Sequence, residues 1–212
     1  IRENNILAIS RNKAALTALR KDCRESHYPG KVYVLSYDLG RADMDQSLMP
    51  LIQAYFSHID ILINNAGALV NKPFLELGRE DFDTLFGINV RSAFQLSQYV
   101  IPLMKKGGHI LNISSMGGVQ GSVKFPGLSL YSASKGALAV LTEAMALELK
   151  ELGIAVNCLA LGAVQTEMLA EAFPGFQAPV SADDMAHFIC NFAEEGHHFF
   201  NGKILPVALS TP

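Results

Sequence analysis

Two kinds of apolar pattern alternate along the chain. Short runs of consecutive apolar residues predict buried strands, and segments whose apolar residues recur every three or four positions predict helices packed by one face. The predicted strands cover residues 5–10, 31–37, 59–63, 110–115, 154–160 and 202–207, and the predicted helices cover 13–24, 48–56, 86–104, 182–194 and a segment beginning at Tyr131. This alternation predicts an α/β fold with a mostly parallel sheet.

The composition is that of one compact domain. The chain has 212 residues, of which 50% are hydrophobic, so it is long enough to bury one sizeable core. We therefore predict a single domain over residues 1–212. The formal charge is −3, and the lysines and arginines are scattered along the chain. Because binding to a phosphate backbone favours a basic stripe, we expect no nucleic-acid partner.

The sequence carries no pattern typical of membrane, disulfide or metal sites. No apolar run approaches the ~18 residues of a membrane span, and the first residues do not resemble a signal peptide, so we expect a cytoplasmic protein. Cys23, Cys158 and Cys190 are too few and too widely spaced for a disulfide framework or a zinc site. His197 and His198 would face opposite ways in an extended chain, which argues against a metal site there.

Tyr131 and Lys135 are the first candidates for chemistry. They stand four residues apart in a predicted helix, which places both side chains on one face. Lowering a tyrosine pKa from ~10 by about 3 units requires roughly 4 kcal/mol, which one close ammonium in a partly desolvated cleft can supply. The pair thus predicts a tyrosine acid/base whose pKa is lowered by Lys135. The alternative is a surface pair whose polar tips reach solvent.

A serine ends the strand that precedes this helix. The predicted strand 110–115 brings Ser114 and Ser115 to its C-terminal end, the edge at which open α/β sheets bind ligands. Side-chain alternation sends the two hydroxyls to opposite sides. A strand-end hydroxyl, a helix-start phenol and a lysine one turn later can converge on one carbonyl group.

Four motifs in this order resemble those of the short-chain dehydrogenase/reductase family. Asn64-Asn65-Ala66-Gly67 resembles the family's turn after a central strand, and Asn89 falls where the family has a helix asparagine. Ser115 with Tyr131-Ser-Ala-Ser-Lys135 resembles the catalytic set, in which the family pattern favours Ser115 over Ser114. Residues 157–166 resemble the strand and loop beside the nicotinamide. The resemblance covers nearly the whole chain and implies a doubly wound, Rossmann-like sheet with helices on both faces.

The resemblance implies an oxidoreductase that transfers a hydride between a nicotinamide cofactor and a carbonyl or secondary alcohol. Tyr131 would exchange the proton and Ser115 would hydrogen-bond to the substrate oxygen. Lys135 would also hold the cofactor ribose, and Asn89 would hold a water that returns protons to the tyrosine. The implied catalytic residues are Asn89, Ser115, Tyr131 and Lys135, and the implied cofactor-binding residues are Asn65, Ala66, Gly67, Tyr131, Lys135, Val164 and Thr166.

Ordinary structural roles remain open for three of these positions. An amide inside an apolar helix, such as Asn89, is more often a satisfied core group than a catalytic one. Thr166 could simply cap a helix that begins at Glu167. The turn at residues 64–67 could be a routine connection, although small residues and amides at a strand end also let a cofactor approach the backbone and brace neighbouring strands.

The residues after the first two predicted strands bear on the choice of cofactor. Arg11 follows the first strand, and Ser10 stands about where NAD-preferring relatives have an acid for the ribose hydroxyls. An arginine without that acid fits a 2′-phosphate, so NADP(H) is favoured over NAD(H). The alternative is an arginine in an ordinary loop. Asp38 resembles the residue with which the family contacts adenine, but it could equally cap a helix beginning near Asp43.

The sequence departs from the family pattern in several places. The first strand, its glycine-rich turn and the following helix are absent, so we expect the sequence to omit an N-terminal segment of the natural protein. Leu161-Gly162 replaces the family's usual Pro-Gly. The loop 116–130 is a little longer than in many relatives, and residues 168–180, in the place of the substrate lid, are few.

The expected partner is a small-molecule carbonyl or alcohol, which the sequence does not identify further. The resemblance also implies a homodimer or homotetramer in which the helix near residue 90 and the helix from Tyr131 pair with a second copy, with Ala139 and Ala146 exposed at that interface. The main alternative function is a catalytically silent binding protein of this fold, favoured by the missing phosphate loop and Leu161. A weaker alternative uses the cofactor for epimerisation or dehydration.

Overall fold

The computed structural model describes residues 3–41 and 43–209, which form one compact unit within residues 1–57 and another within residues 58–212. The first unit contains β1 (Ile6–Ser10), α1 (Lys13–Glu25), β2 (Val32–Ser36), α2 (Met44–Ser47) and α3 (Met49–Tyr55). β1 and β2 pair in parallel, with Ser10 opposite Ser36. The Asn12 side chain starts α1 by accepting a hydrogen bond from the Ala15 N–H at 3.0 Å.

The second unit is built on a parallel sheet. Its strands are β3 (Ile59–Asn64), β4 (Met104–Ser115), β5 (Ala155–Leu161), the short β6 (Val164–Gln165) and β7 (Val180–Ser181), and β8 (Ile204–Val207). β3, β4, β5 and β8 lie side by side in that order, and all three of their pairings are parallel. β6 and β7 form a separate parallel pair. The carboxyl ends of the four main strands therefore share one edge.

Helices cover both faces of this sheet. They are α4 (Arg79–Phe86), α5 (Ser92–Val100), α6 (Ser129–Glu148), α7 (Glu167–Ala172) and α8 (Ala182–Glu195). On one face Ile110 and Val156 pack with Ala146 of α6. On the other face Leu111 and Leu159 pack with Ala193 of α8. Because neighbouring residues of a strand point to opposite faces, near-continuous apolar strands are required here. The predicted α/β class with helices on both faces is confirmed.

Two predicted element boundaries are wrong. The helix expected at 86–104 is part of a longer helical run, in which a π-helical turn, Gly87–Arg91, joins α4 to α5. That run ends at Val100, because the Ile101–Leu103 segment tightens into a 3-10 turn containing Pro102, which has no N–H to continue the helix. β4 consequently begins at Met104. The single-domain prediction is not tested by these observations and stays a prediction.

Two predictions about side-chain orientation are also wrong. Residues Gly196–His198 form a 3-10 turn, so the rings of His197 and His198 lie together, with centroids 4.0 Å apart. Ala139 and Ala146 are buried within the chain, and the exposed apolar side chains of α6 are Val140 and Leu147. Within the described residues, no three His, Cys, Asp or Glu side chains are grouped to hold a metal ion. No helix in the described part of the chain is both long and apolar enough to cross a membrane.

Candidate active site

Ser115, Tyr131 and Lys135 come together where β4 ends and α6 begins. Ser115 is the last residue of β4, and Tyr131 lies in the first turn of α6 with Lys135 one turn later. The Ser115 hydroxyl is close enough to the Tyr131 phenol to lower the phenol pKa by hydrogen bonding. The Lys135 Nζ lies 5.9 Å from the centre of the Tyr131 ring. The three side chains expected to act on one carbonyl are thus neighbours.

Lys135 is held rigidly by the strand beside it. Its side chain is only 4% exposed, and its Nζ donates a hydrogen bond to the Ile113 carbonyl at 2.9 Å. The Ser114 hydroxyl donates to the Lys135 main-chain carbonyl at 2.8 Å, so Ser114 fixes the helix while Ser115 faces the tyrosine. Burial lowers the pKa of Lys135 to about 8, so the ammonium is still largely protonated at pH 7.

The pKa of Tyr131 shifts in the direction opposite to the sequence-based expectation. Burial raises this pKa, and the Ser115 hydroxyl only partly offsets the effect. Lys135 does not reverse the shift, since its Nζ is 5.9 Å from the ring centre and is directed to the Ile113 carbonyl. Desolvation disfavours the phenolate more than these neighbours stabilise it. The tyrosine is therefore a protonated phenol at neutral pH.

A close approach of two backbones sets the distance between α6 and the end of β4. A Cβ placed on Gly118 would lie 2.6 Å from both the Gly136 nitrogen and the Lys135 carbonyl carbon. The turn after Ser115 therefore touches the α6 backbone at Lys135, and only a glycine allows this contact. The loop predicted at residues 116–130 is therefore part of the site, because its Gly118 contacts the α6 backbone at Lys135.

The Asn89 side chain has a structural role. Its Oδ1 accepts from the Ala68 N–H at 2.8 Å, and its Nδ2 donates to the Ala68 carbonyl at 3.0 Å and to the Ser134 hydroxyl at 2.9 Å. Both amide hydrogens are thus used within the protein. The π-helical turn places the amide here, as such turns often do near functional sites. The water that the resemblance implies at Asn89 would therefore have to donate a hydrogen bond to an oxygen of this residue, because both side-chain amide hydrogens already have partners.

The turn after β3 meets the same group of residues. A Cβ on Gly67 would lie 3.4 Å from the Lys135 Nζ and 3.5 Å from the Asn89 Oδ1, so the backbone at Gly67 borders both. Asn65 and Ala66 before it are exposed. The Asn64 Nδ2 donates to Ser97 and Asn112, which braces β3 against α5 and β4. The predicted bracing of neighbouring strands by amide side chains is therefore present.

Thr166 caps a helix. Its hydroxyl accepts from the Leu169 N–H at 3.3 Å and starts α7, which is the structural alternative foreseen for it. Val164 lies in β6, opposite Val180. The Gly162 N–H donates to the Val207 carbonyl at 2.9 Å, so pairing with β8 holds the start of this loop.

Arg11 and Asp38 belong to the first unit, where they follow two paired strands. Arg11 comes directly after β1, and its carbonyl accepts from the Ser36 hydroxyl at 3.4 Å. The Asp38 carboxylate accepts from the Gly40 N–H at 2.9 Å, while Asp43 occupies the position before α2, so the capping alternative for Asp38 is wrong. Within residues 3–41 and 43–209, no carboxylate forms an ion pair with Arg11.

Ser134 is a site residue that the sequence analysis did not identify. Its buried hydroxyl accepts from Asn89 and donates to the Tyr131 carbonyl at 2.7 Å, which connects two of the predicted site residues. A serine three positions after Tyr131 was the available signal, because a polar residue on the buried face of a helix needs partners.

Comparison with known proteins places the chain in a family. The short chain dehydrogenase family model matches residues 2–175. Carbonyl reductase [NADPH] 2 of Sus scrofa is 35% identical over 166 residues, which are 77% of this chain and 63% of that protein. The chain therefore spans less than two thirds of the length of this relative.

Two solved structures share the fold. A short chain dehydrogenase from Burkholderia cenocepacia J2315 in complex with NADP has a TM-score of 0.84 at 25% identity, covering 96% of this chain and 86% of that one. A 4-hydroxyisoleucine dehydrogenase complexed with NADH has a TM-score of 0.81 at 25% identity, with the same two coverages. Together with the match over residues 2–175, these likenesses show that the chain belongs to the short-chain dehydrogenase family.

Proposed function

We propose that this chain is an NADP(H)-dependent oxidoreductase that reduces a small-molecule carbonyl or oxidises the corresponding secondary alcohol, with Tyr131 as the proton donor or acceptor. The observation that carries the proposal is the meeting of the Ser115 hydroxyl, the Tyr131 phenol and the Lys135 ammonium at the carboxyl edge of the sheet. A hydroxyl and a phenol side by side can both donate to one carbonyl oxygen.

The residues present fit a nicotinamide cofactor. Gly67 brings a bare backbone against the Lys135 Nζ, and the exposed turn Asn65-Ala66 carries small or amide side chains that leave room for a ligand. Val164 and Thr166 follow the end of β5 at the same edge of the sheet. When bound, the nicotinamide would supply or accept the hydride. Lys135 would hold the cofactor ribose. The other proposed cofactor-binding residues of this unit are Asn65, Ala66, Gly67, Val164 and Thr166.

NADP(H) is the cofactor form that the first unit favours. Arg11 keeps a guanidinium free of carboxylate partners among the described residues, and Ser10 rather than an acid precedes it. A free guanidinium binds a phosphate through charge-assisted hydrogen bonds, whereas an acid at Ser10 would repel it. The pig relative is named for NADPH, although a solved relative carries NADH.

The chain's own residues can carry the proton in the reductive direction. Burial keeps Tyr131 protonated at neutral pH, so it is ready to donate to an oxygen that gains negative charge. The neighbouring Ser115 hydroxyl would donate a second hydrogen bond to that oxygen. Once the phenol has lost its proton, the buried Lys135 ammonium would stabilise the phenolate. A protonated Tyr131 at neutral pH is the form that carbonyl reduction requires.

We also propose a homodimer or homotetramer, which exposed apolar side chains would support. Phe94 of α5 and Val140 and Leu147 of α6 expose apolar side chains, with 64% of Val140 and 76% of Leu147 exposed. Exposed apolar side chains of this size are typical of a protein–protein interface. These residues replace Ala139 and Ala146 as the proposed contacts with a second copy.

Replacing Tyr131 with Phe tests the function directly. NADPH oxidation would be followed with a panel of ketones and aldehydes, for the wild type and for Tyr131→Phe. We expect turnover to fall roughly 10²–10⁴-fold, the usual contribution of a general acid, with nearly unchanged NADPH affinity. Tyr55→Phe, a change at an exposed tyrosine of α3, is the control. Equal turnover in both variants would reject the assignment, and cofactor binding without any wild-type turnover would favour a silent binding protein.

A further inference from the structure

Three segments form a rim beyond the strand ends that carry the site. We define them as the turn segment (residues 68–73), which follows Gly67, the loop segment (119–128), which leads into α6 and Tyr131, and the lid segment (166–179), which contains α7 and lies between β6 and β7. All three belong to the second unit.

Asn71 of the turn segment contacts both of the other segments. Its Nδ2 donates to the Ala172 carbonyl at the end of α7, at 3.0 Å and across 101 positions in the chain. Its Oδ1 lies directly against Gly127, where an added Cβ would come within 2.0 Å of that oxygen. Gly127 has φ +83, so both its conformation and its surroundings require glycine. One amide thus joins the three segments.

The junction that Asn71 forms between the three segments lies close along the chain to the site residues. Asn71 is four residues after Gly67, whose backbone borders the Lys135 Nζ, and Gly127 is four residues before Tyr131. The neighbouring Lys72 N–H also donates to the Gly127 carbonyl, at 3.1 Å. The turn and loop segments are therefore held together by a backbone hydrogen bond as well as by the Asn71 side chain. They form a fixed support to which the lid segment is attached through Asn71.

The lid segment is attached differently at its base and at its tip. Its base is closed by pairing of β6 with β7 and by the Gln165 side chain, which accepts from the Ala178 N–H at 2.8 Å. At the end of α7 the attachment to the turn segment is the exposed Asn71–Ala172 hydrogen bond. A single exposed hydrogen bond contributes little to global stability, so it can break while the base stays paired.

We propose that Asn71 is a specificity-determining positioning residue, which holds the lid segment against the loop segment and thereby limits the size of substrate that reaches Ser115 and Tyr131. The inference rests on the proposed oxidoreductase function for its substrate part, but the attachment of the lid segment is independent of catalysis. Loss of the Asn71 donor leaves the catalytic residues in place and widens the entrance.

The test uses Asn71→Asp, which keeps the size of the side chain but turns an oxygen towards the Ala172 carbonyl, and Asn71→Ala, which removes the contact. With NADPH and the smallest and largest ketones that the wild type reduces, we expect KM for the small ketone to rise about three- to tenfold, the range one hydrogen bond supports. The ratio of kcat/KM for the large ketone to that for the small one should increase, with kcat for the small ketone nearly unchanged.

Hydrogen exchange of the lid segment gives a readout that does not need activity. Residues 166–179 should exchange faster in both Asn71 variants, and most in Asn71→Asp, while β4 and α6 keep wild-type exchange. The control is Asn5→Ala, which removes another exposed asparagine with a hydrogen bond to the backbone, here one accepted from the Lys31 N–H at 3.1 Å. Unchanged exchange in the lid segment would overturn the attachment, and faster exchange with an unchanged ketone ratio would overturn the role in specificity. If the wild type reduces no ketone, the proposed function fails. The exchange result still decides whether Asn71 attaches the lid segment.

Discussion

The Asn157 side chain donates a hydrogen bond to the Nε2 of His109 at 3.1 Å, between adjacent strands β5 and β4 in the fully buried core. The other ring nitrogen, Nδ1, donates to the Ala193 carbonyl of α8 at 2.8 Å. Asn157 also donates to the Phe200 carbonyl at 2.8 Å. This arrangement requires a neutral histidine with its hydrogen on Nδ1, because a second ring hydrogen would face the amide hydrogens of Asn157.

Acid should therefore destabilise the protein through His109. Burial lowers the pKa of His109 to about 4, below the unfolded value of 6.5. Between these two values the unfolded state binds more protons, so stability that is complete above pH 6.5 is lost as the pH falls to 4. We expect the free energy of unfolding to drop by about 3 kcal/mol from this group, measured by urea denaturation at pH 7 and pH 4.

The variants His109→Gln and His58→Gln separate this effect from general acid denaturation. His58 is about half exposed, beside Asp60, so its replacement should leave the pH dependence nearly unchanged. His109→Gln should be less stable at pH 7 but should lose less stability on acidification. An equal loss in the wild type and in His109→Gln would show that the buried histidine is not the cause.

The two directions of the proposed reaction should differ in their pH dependence. Alcohol oxidation needs the Tyr131 phenolate, and since burial raises the phenol pKa, its rate should rise about tenfold per pH unit from pH 6 to 8. Carbonyl reduction uses the protonated phenol and should be nearly flat over that range, falling above pH 8 as Lys135 loses its proton. Steady-state kcat/KM in both directions checks this. An oxidation rate independent of pH between 6 and 8 contradicts a raised tyrosine pKa.

Replacing Arg11 with Asp should change cofactor preference. The substitution removes the guanidinium proposed to bind the 2′-phosphate and adds a charge that repels it. We expect the Kd for NADPH, from fluorescence titration, to rise about 10- to 100-fold, with a much smaller change for NADH. Arg20→Asp on α1 makes the same charge change away from the β1 end. Equal losses for the two cofactors would refute the phosphate assignment.

Replacing Leu147 with Glu should dissociate the proposed dimer. Leu147 is already 76% exposed in the chain, so a charge there costs the monomer little but is costly if desolvated at an interface. Sedimentation should show a dimer or larger assembly for the wild type and monomers for Leu147→Glu. Leu75→Glu is the control, at a 95% exposed leucine of the 3-10 turn before α4. A wild-type monomer would remove the basis of the proposed interface.

The local features of this protein were determined by its sequence. Runs of apolar residues located the main strands, because a strand covered on both faces must be apolar along its length. The four-residue spacing of Tyr131 and Lys135 placed both on one helix face, and alternation separated Ser114 from Ser115. These relationships extend over one strand or one helical turn, so they depend on the backbone period alone.

What the tertiary structure decided depends on residues far apart in the chain. The pKa of Tyr131 is raised because packing desolvates the phenol, which the spacing to Lys135 did not reveal. Ala146 is buried because α6 lies against Ile110 of β4, so the resemblance-based expectation of an exposed Ala146 is wrong. The Asn71–Ala172 hydrogen bond joins positions 101 residues apart. Burial and partner choice are set by which elements pack together, and no local pattern contains that information.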